Sequence, residues 1–583
     1  MKNVNLKVNG IDVTVPEGTR ILDAALKAGY KIPTLCYMKD LCNESSCRVC
    51  VVELKGNRKL MTACSTLVSE GMEVLTNTPK VRAARKMTLE LLLSNHHKDC
   101  LSCVRSGNCE LQTLSKEYGC DDKRYDGEMN NYDVDDATEY LVRDNNKCIL
   151  CRRCVAACNK VQSVGVIDAG NRGFATRIAS PFDKNLGEVP CVACGQCINV
   201  CPTGALREKD SVAAVDKLLH DPEKTVIVGT APSVRAALGE EFGYPIGTDT
   251  EGRMVAALKA IGFDKVFDVD MAADMTIMEE GAEFIARLND KNAVLPMITS
   301  CSAGWIRFIE FNYPELLPHL STCKSPQQMF GAIMKTYYAK KMGLDPKNVA
   351  VVTVMPCIAK KSELLRDDQS AAGAGIPDVD ESITTRELAR MIRNYGIDFK
   401  ALDPKAEFDN PIGKGSSAGL IFGATGGVME AALRTVAETV TGETLENIDF
   451  KAVRGTKGIK EASITLAGKT INICVASGLS NARKIMDEVK AGKSKYHFIE
   501  IMACPGGCVN GGGQPIVSSS TRNVVDVAKV RAGVLYKKDK KDTLRKSHEN
   551  PAVKTLYKEY FEKPNSHVAH EVLHTSYVKR DRY

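Results

Sequence analysis

Residues 5–8 and 11–15 alternate apolar and polar side chains on either side of Asn9-Gly10, a pattern that predicts a β-hairpin closed by a two-residue turn. A helix-like stretch follows over residues 21–28, and Val164-Gly165-Val166-Ile167-Asp168 reads as a further strand. From about residue 210 the pattern changes. Thr225-Val226-Ile227-Val228-Gly229 and Val349-Ala350-Val351-Val352-Thr353-Val354 are continuous apolar runs, as expected of strands buried on both faces, and each leads into a loop and then a helical stretch. That alternation predicts an open α/β sheet, which places its ligands beyond the carboxyl ends of the strands. No stretch approaches the roughly 20 apolar residues of a membrane span.

Length and charge narrow the reading. A chain of 583 residues with 44% hydrophobic content divides into several domains with more than one core. With 78 basic against 72 acidic residues and no basic run interleaved with aromatics, nucleic acid is not an expected partner. The amino terminus alternates like a strand and offers no secretion signal, so a cytoplasmic location is expected. Thiols stay reduced there, and recurrent C-x2-C spacing reads as metal binding rather than disulfides.

Seventeen of the 23 cysteines precede residue 202. Cys148-x2-Cys151-x2-Cys154-x3-Cys158 and Cys191-x2-Cys194-x2-Cys197-x3-Cys201-Pro202 are two copies of the run that wraps cubane iron–sulfur clusters. In two-cluster ferredoxins the fourth cysteine of each run crosses over, which assigns Cys148, Cys151, Cys154 and Cys201 to one cubane and Cys191, Cys194, Cys197 and Cys158 to the other. Before them, His96-x3-Cys100-x2-Cys103-x5-Cys109 offers one imidazole and three thiolates for a further cubane, with His97 one position off the pattern. At the amino terminus, strands, one helix and Cys36, Cys47, Cys50 and Cys64 resemble a plant-type [2Fe–2S] ferredoxin domain. Cys42 also satisfies the plant-type spacing to Cys47, so either it or Cys36 could be the first ligand. Cys36 is preferred because Pro33-Thr34-Leu35-Cys36-Tyr37 resembles the first ligand segment of iron-only hydrogenases and of the large iron–sulfur subunit of respiratory complex I. The one-histidine, three-cysteine arrangement recurs in the same two families.

The second half disperses its cysteines over strand-end loops: Thr299-Ser300-Cys301-Ser302-Ala303-Gly304-Trp305, Met355-Pro356-Cys357-Ile358-Ala359-Lys360, and Met502-Ala503-Cys504-Pro505-Gly506-Gly507-Cys508-Val509-Asn510-Gly511-Gly512-Gly513. These resemble the three signature motifs of [FeFe]-hydrogenases. The resemblance runs the length of the chain, in the long form found in NAD(P)-linked or electron-bifurcating multi-subunit enzymes. It implies an H-cluster, a [4Fe–4S] cubane bridged to a diiron subsite bearing carbon monoxide, cyanide and an azadithiolate. Cys357 and Cys504 would hold the cubane, Cys508 would bridge, and Lys360 would hydrogen-bond a cyanide. Glu280 and Glu283, three apart on one helical face, match the carboxylates of the family's proton path, with Ser321 between them. One departure matters. The family has two adjacent cysteines and a proline, the first a relay thiol and the second a cubane ligand, where this chain has Cys301-Ser302-Ala303. Cys301 is expected to reach the iron as a ligand; the alternative makes it the relay thiol beside a three-cysteine cubane.

The expected architecture is α/β and α+β multidomain. It comprises a [2Fe–2S] ferredoxin-like domain over 1–79, a one-histidine/three-cysteine domain over 80–122, a two-[4Fe–4S] ferredoxin-like domain over 138–210, and a two-lobed α/β H-cluster domain over 211–583 with a tail from about 525. The implied activity is interconversion of H2 with protons and electrons, one [2Fe–2S] and three accessory [4Fe–4S] clusters carrying the electrons. A sensory or low-activity homologue, or a non-catalytic iron–sulfur electron-transfer or assembly protein, is the alternative. Gly373-x-Gly375 lacks the strand-to-helix context of a dinucleotide site and no P-loop occurs, so a flavin- and NAD(P)-binding subunit, ferredoxin, or both would take the electrons.

Overall fold

The computed structural model describes residues 2–582 apart from 411, 446 and 467. Asn3–Val8 and Ile11–Pro16 pair antiparallel through Asn9 and Gly10, both at positive φ (48° and 86°), as the Asn-Gly pair predicts. Alternation buries Val4, Leu6, Val8, Val13 and Val15 against the helix Ile21–Lys27, which ends one residue before the expected run, with Ala28 as its cap. Glu73–Leu75, Val51–Leu54 and Met61–Thr62 complete a five-stranded sheet.

The helix Pro79–Ser94, capped by the Thr78 hydroxyl accepting from Val81 N–H, delivers the chain to the His96–Cys109 loop, and Glu110–Glu117 follows. The next unit holds two short helices, Arg153–Ala156 and Gln196–Val200, braced by the strand pair Leu141–Arg143 and Leu206–Glu208. The strand expected at 164–168 is not formed as such: the hairpin uses Asp168–Gly170 with Arg177–Ala179, and 164–167 forms no strand, with Gly165 at φ 70°. The reason is local. Ser163 and Gly165 both take positive φ (51° and 70°), which turns the backbone out of the extended path a ladder needs.

The second half builds two four-stranded sheets. Lys265–Asp268, Thr225–Thr230, Val349–Met355 and Glu381–Thr384 run parallel in that order. Met297–Ile298, Phe498–Met502 and Lys469–Ser477 are parallel in the other, edged by antiparallel Ile459–Leu466. Every residue of Val349–Met355 and Phe498–Met502 is buried, including Glu500, whose carboxylate accepts from the Gly426 and Met429 backbone N–H groups. Cys301, Cys357 and Cys504 each lie within three residues of the carboxyl end of a strand in these sheets. No helix among the described residues is long and apolar enough to cross a membrane.

Candidate active site and electron relay

At the amino terminus, Cys50 and Cys64 sulfurs lie 3.4 Å apart. Hydrogen bonds from Cys47 and Cys64 push the Cys36 thiol down to about 2, so these four sulfurs form one group. Cys42 is turned away, its sulfur 3.7 Å from the Cys151 carbonyl oxygen. His96 is buried, and that burial pushes its imidazole down to about 4, leaving it in the neutral form that ligates metals; its Nδ1 has no hydrogen-bond partner among the described residues. Cys103 lies so close to Gly204 that a Cβ there would stand 2.7 Å from its sulfur.

The fourth cysteine of each run lies with the first three of the other: one pocket is lined by Cys148, Cys151, Cys154 and Cys201, and another by Cys158, Cys191, Cys194 and Cys197.

Between the two sheets of the second half lies a cavity whose wall includes Cys194, Cys301, Ser302, Cys357, Cys504 and Cys508. Close approach of backbones makes this possible. A Cβ on Gly511 would sit 2.1 Å from the Pro356 carbonyl oxygen, and one on Gly512 would sit 2.5 Å from that of Cys194. Only glycine lets the Cys508 segment lie against the segments carrying Cys357 and Cys194. Burial pushes Cys508 up to about 12 and raises Cys357 and Cys504, and their charges oppose one another. Several buried thiols facing one apolar cavity suit a soft, iron–sulfur group. The donor set therefore fits the H-cluster implied by the sequence.

Lys360 provides the cation. Its Nζ donates to the Cys301 carbonyl at 3.1 Å and to Glu363 Oε2 at 2.9 Å. Glu363 is fixed in turn by Ser325 Oγ (2.9 Å) and Gln327 Nε2 (3.1 Å). Glu363, Ser325 and Gln327 have no assigned role in the sequence reading; the Lys360–Glu363 spacing of three on a short helix is the signal that could have shown the first.

On the other side, the helix Asp270–Asn289 carries Glu280 and Glu283. Glu280 is 1% exposed and neither carboxyl oxygen has a hydrogen-bond partner among the described residues. Burial, and then the charge of Glu283, push it up to about 8. Ser321 Oγ donates to Glu283 Oε2 at 2.9 Å and also acts on Glu280, so it stands between them. Arg287 Nη2 donates to Glu283 Oε1 at 2.6 Å and carries the line to the partly exposed rim. Arg287 is a member that the sequence reading missed, four residues from Glu283 on the same face. Cys301 packs with Ala273, Ile277, Met297 and Phe422; burial raises its thiol, and Glu280 is the charge acting on it most.

An α/β core with dispersed sulfurs at its strand ends, preceded by three cysteine-rich modules, defines an iron–sulfur oxidoreductase. Family models match in chain order: a 2Fe-2S iron-sulfur cluster binding domain over 1–79, the NADH-ubiquinone oxidoreductase-G iron-sulfur binding region over 85–124, and a 4Fe-4S dicluster domain over 147–205. The iron only hydrogenase large subunit, C-terminal domain, matches 224–512, and the iron hydrogenase small subunit matches 525–580. The chain is 49% identical to the NADP-reducing hydrogenase subunit HndD of Solidesulfovibrio fructosivorans, over 100% of both chains. It is 44% identical to iron hydrogenase 1 of Clostridium pasteurianum, over 98% of this chain and 99% of that one. An apo [FeFe]-hydrogenase, HydA1 from Chlamydomonas reinhardtii, superposes with a TM-score of 0.56 at 42% identity, over 63% of this chain and 99% of that chain. The chain belongs to the iron-only hydrogenase family. It is a catalytic oxidoreductase of H2 equipped with accessory iron–sulfur domains.

Proposed function

We propose that H2 is cleaved or formed in the cavity between the two sheets, and that its electrons pass through one [2Fe–2S] and three [4Fe–4S] clusters to a partner. The observation that carries this reading is the position of Cys194. It lines both the catalytic cavity and the pocket of Cys158, Cys191 and Cys197, so the last accessory cluster and the active site share a wall. Accessory ligands are Cys36, Cys47, Cys50 and Cys64; His96, Cys100, Cys103 and Cys109; and the two crossed cysteine sets. Cys357, Cys504 and Cys508, which line one cavity, would hold the H-cluster, Cys357 and Cys504 its cubane and Cys508 the link to its diiron subsite with carbon monoxide, cyanide and azadithiolate. When bound, that group supplies the centre at which hydrogen is split into protons and electrons.

The chain's own residues do the rest. Apolar Ala231, Val269, Met355 and Phe422 keep bulk water from the cavity, and Lys360, held by Glu363, presents a cation to a buried anion there. The surroundings of Cys301 support the relay role, in place of the ligand role preferred from sequence. A proton then passes from Cys301 to Glu280, through Ser321 to Glu283, and out past Arg287. Full-length similarity to a subunit of an NADP-reducing hydrogenase supports a flavin- and NAD(P)-binding partner subunit, with ferredoxin as a further acceptor.

Anaerobically matured protein should show infrared bands of metal-bound carbon monoxide and cyanide and should reduce a viologen dye under H2. Protein loaded with accessory iron that gives neither signal would overturn the proposal.

A further inference from the structure

We infer that the hydroxyl oxygen of Ser302 takes the fourth corner of the active-site cubane, which leaves Cys301 free as a relay thiol. The inference rests on the hydrogen-converting function proposed above.

Cys357, Cys504 and Cys508 supply three sulfurs to the cubane, one short of a full set. Cys301 is placed poorly to be the fourth. It belongs to the apolar cluster that includes Ile277 and Met297 and that Cys508 borders, and Glu280 is the charge acting on it most, as suits a proton relay.

Ser302 is placed well. It stands at the start of the helix Ala303–Asn312, where a serine ordinarily accepts a hydrogen bond from the N–H two or three residues on. Here it makes no such cap. Its oxygen instead accepts from the Ala503 backbone N–H at 3.2 Å, the residue directly before Cys504. Hydrogen bonds of this kind aim a ligand atom at its metal. The helix start is also wedged among the ligand segments: a Cβ on Gly304 would be 3.1 Å from the Ala503 Cβ, 3.4 Å from the Val192 carbonyl oxygen and 3.7 Å from the Ala359 Cβ. Ser302 is thus held at the cavity wall by the segments that carry Cys504, Cys194 and Cys357.

Ligation is balanced without a redox change at the residue. On assembly the Ser302 O–H bond breaks, and its proton leaves to solvent with those of the three thiols. The oxygen keeps the electron pair and donates it to iron. A hard oxygen on a cluster that prefers thiolate lowers the cubane's reduction potential relative to a four-sulfur set.

Three variants of the matured, full-length protein test this. Cys301→Ala should keep the infrared bands and the iron and lose turnover by about 10²- to 10⁴-fold, the usual worth of one positioned acid–base group. Ser302→Cys should keep the bands and raise the cubane potential. Ser302→Ala should lose the bands and about six iron atoms, a cubane and its diiron unit, while the accessory signals persist and show that the chain is folded. If that variant does not fold, the potential of Ser302→Cys decides: an unchanged value overturns the inference. Loss of bands and iron in Cys301→Ala, or a cubane retained in Ser302→Ala at the wild-type potential, also overturns it. Wild-type protein without carbonyl and cyanide bands would instead overturn the functional proposal beneath it.

Discussion

Glu280 is a buried carboxyl group whose oxygens have no hydrogen-bond partner within normal range among the described residues, and burial settles its charge. Because its pKa rises to about 8, it is protonated at pH 7 and ionises as the pH climbs through that value. The expected sign is a protonated-carboxyl infrared stretch present at pH 7, fading above about pH 8 and missing from Glu280→Gln. Its absence at pH 7 in the wild type would mean that the site is wetter than the packing implies. Glu283, one step outward, is anchored by Ser321, Thr322 and Arg287. Glu283→Gln should preserve those anchors in part and leave every cluster spectrum unchanged, yet cut turnover by about 10²- to 10⁴-fold, since an amide does not ionise. Stopped-flow or dye-linked H2 assays check this, and wild-type turnover would redirect the proton path. Both glutamates were legible through a motif resemblance, because two carboxylates on a helix usually form a solvated face. Arg287 and Glu363 were not, since a charged residue near a motif gives no sign of which way it turns.

Strands and strand-end loops were the most legible elements. The continuous apolar runs at Thr225–Thr230 and Val349–Met355 could be buried on both faces only in a covered sheet, and the hairpin was marked by its Asn-Gly turn. Residues 164–167 misled because apolar content cannot tell a strand from a segment turned aside by positive φ at Ser163 and Gly165. The glycines after Cys508 were visible in sequence, but their reason was not: it lies in a backbone contact across the cavity. Gly511→Ala would force a methyl group to within 2.1 Å of the Pro356 oxygen. That variant should lose the infrared bands of the active site and keep the [2Fe–2S] and accessory cubane signals in electron paramagnetic resonance. Retained bands would show that the two segments can part without losing the cluster.

For the whole molecule, five cysteine-rich sites predict about 20 iron atoms per fully matured chain, by the usual stoichiometry of each cluster type. Iron near half that value in fully active protein would remove at least two clusters from the relay. The sites converge as a fork. The Cys36 group and the Cys103 loop both abut the Cys148–Cys201 pocket, through the Cys42–Cys151 contact on one side and the Arg105 bond to the Cys201 carbonyl (2.8 Å) on the other. At that fork sits Arg153, fully buried, donating to Glu110 (3.0 Å), the Tyr37 carbonyl (3.2 Å) and Ser519 (3.0 Å). One guanidinium of the two-cubane module thereby touches the amino-terminal domain at Tyr37, the module that carries Cys109 at Glu110, and the catalytic domain at Ser519. Domains joined by modest interfaces move relative to one another unless something prevents it. A side chain that binds no iron thus ties together the three segments flanking the Cys148–Cys201 pocket. Arg153→Lys, which removes the fork of donors but keeps the charge, should leave every redox centre intact by spectroscopy while throttling the current between them.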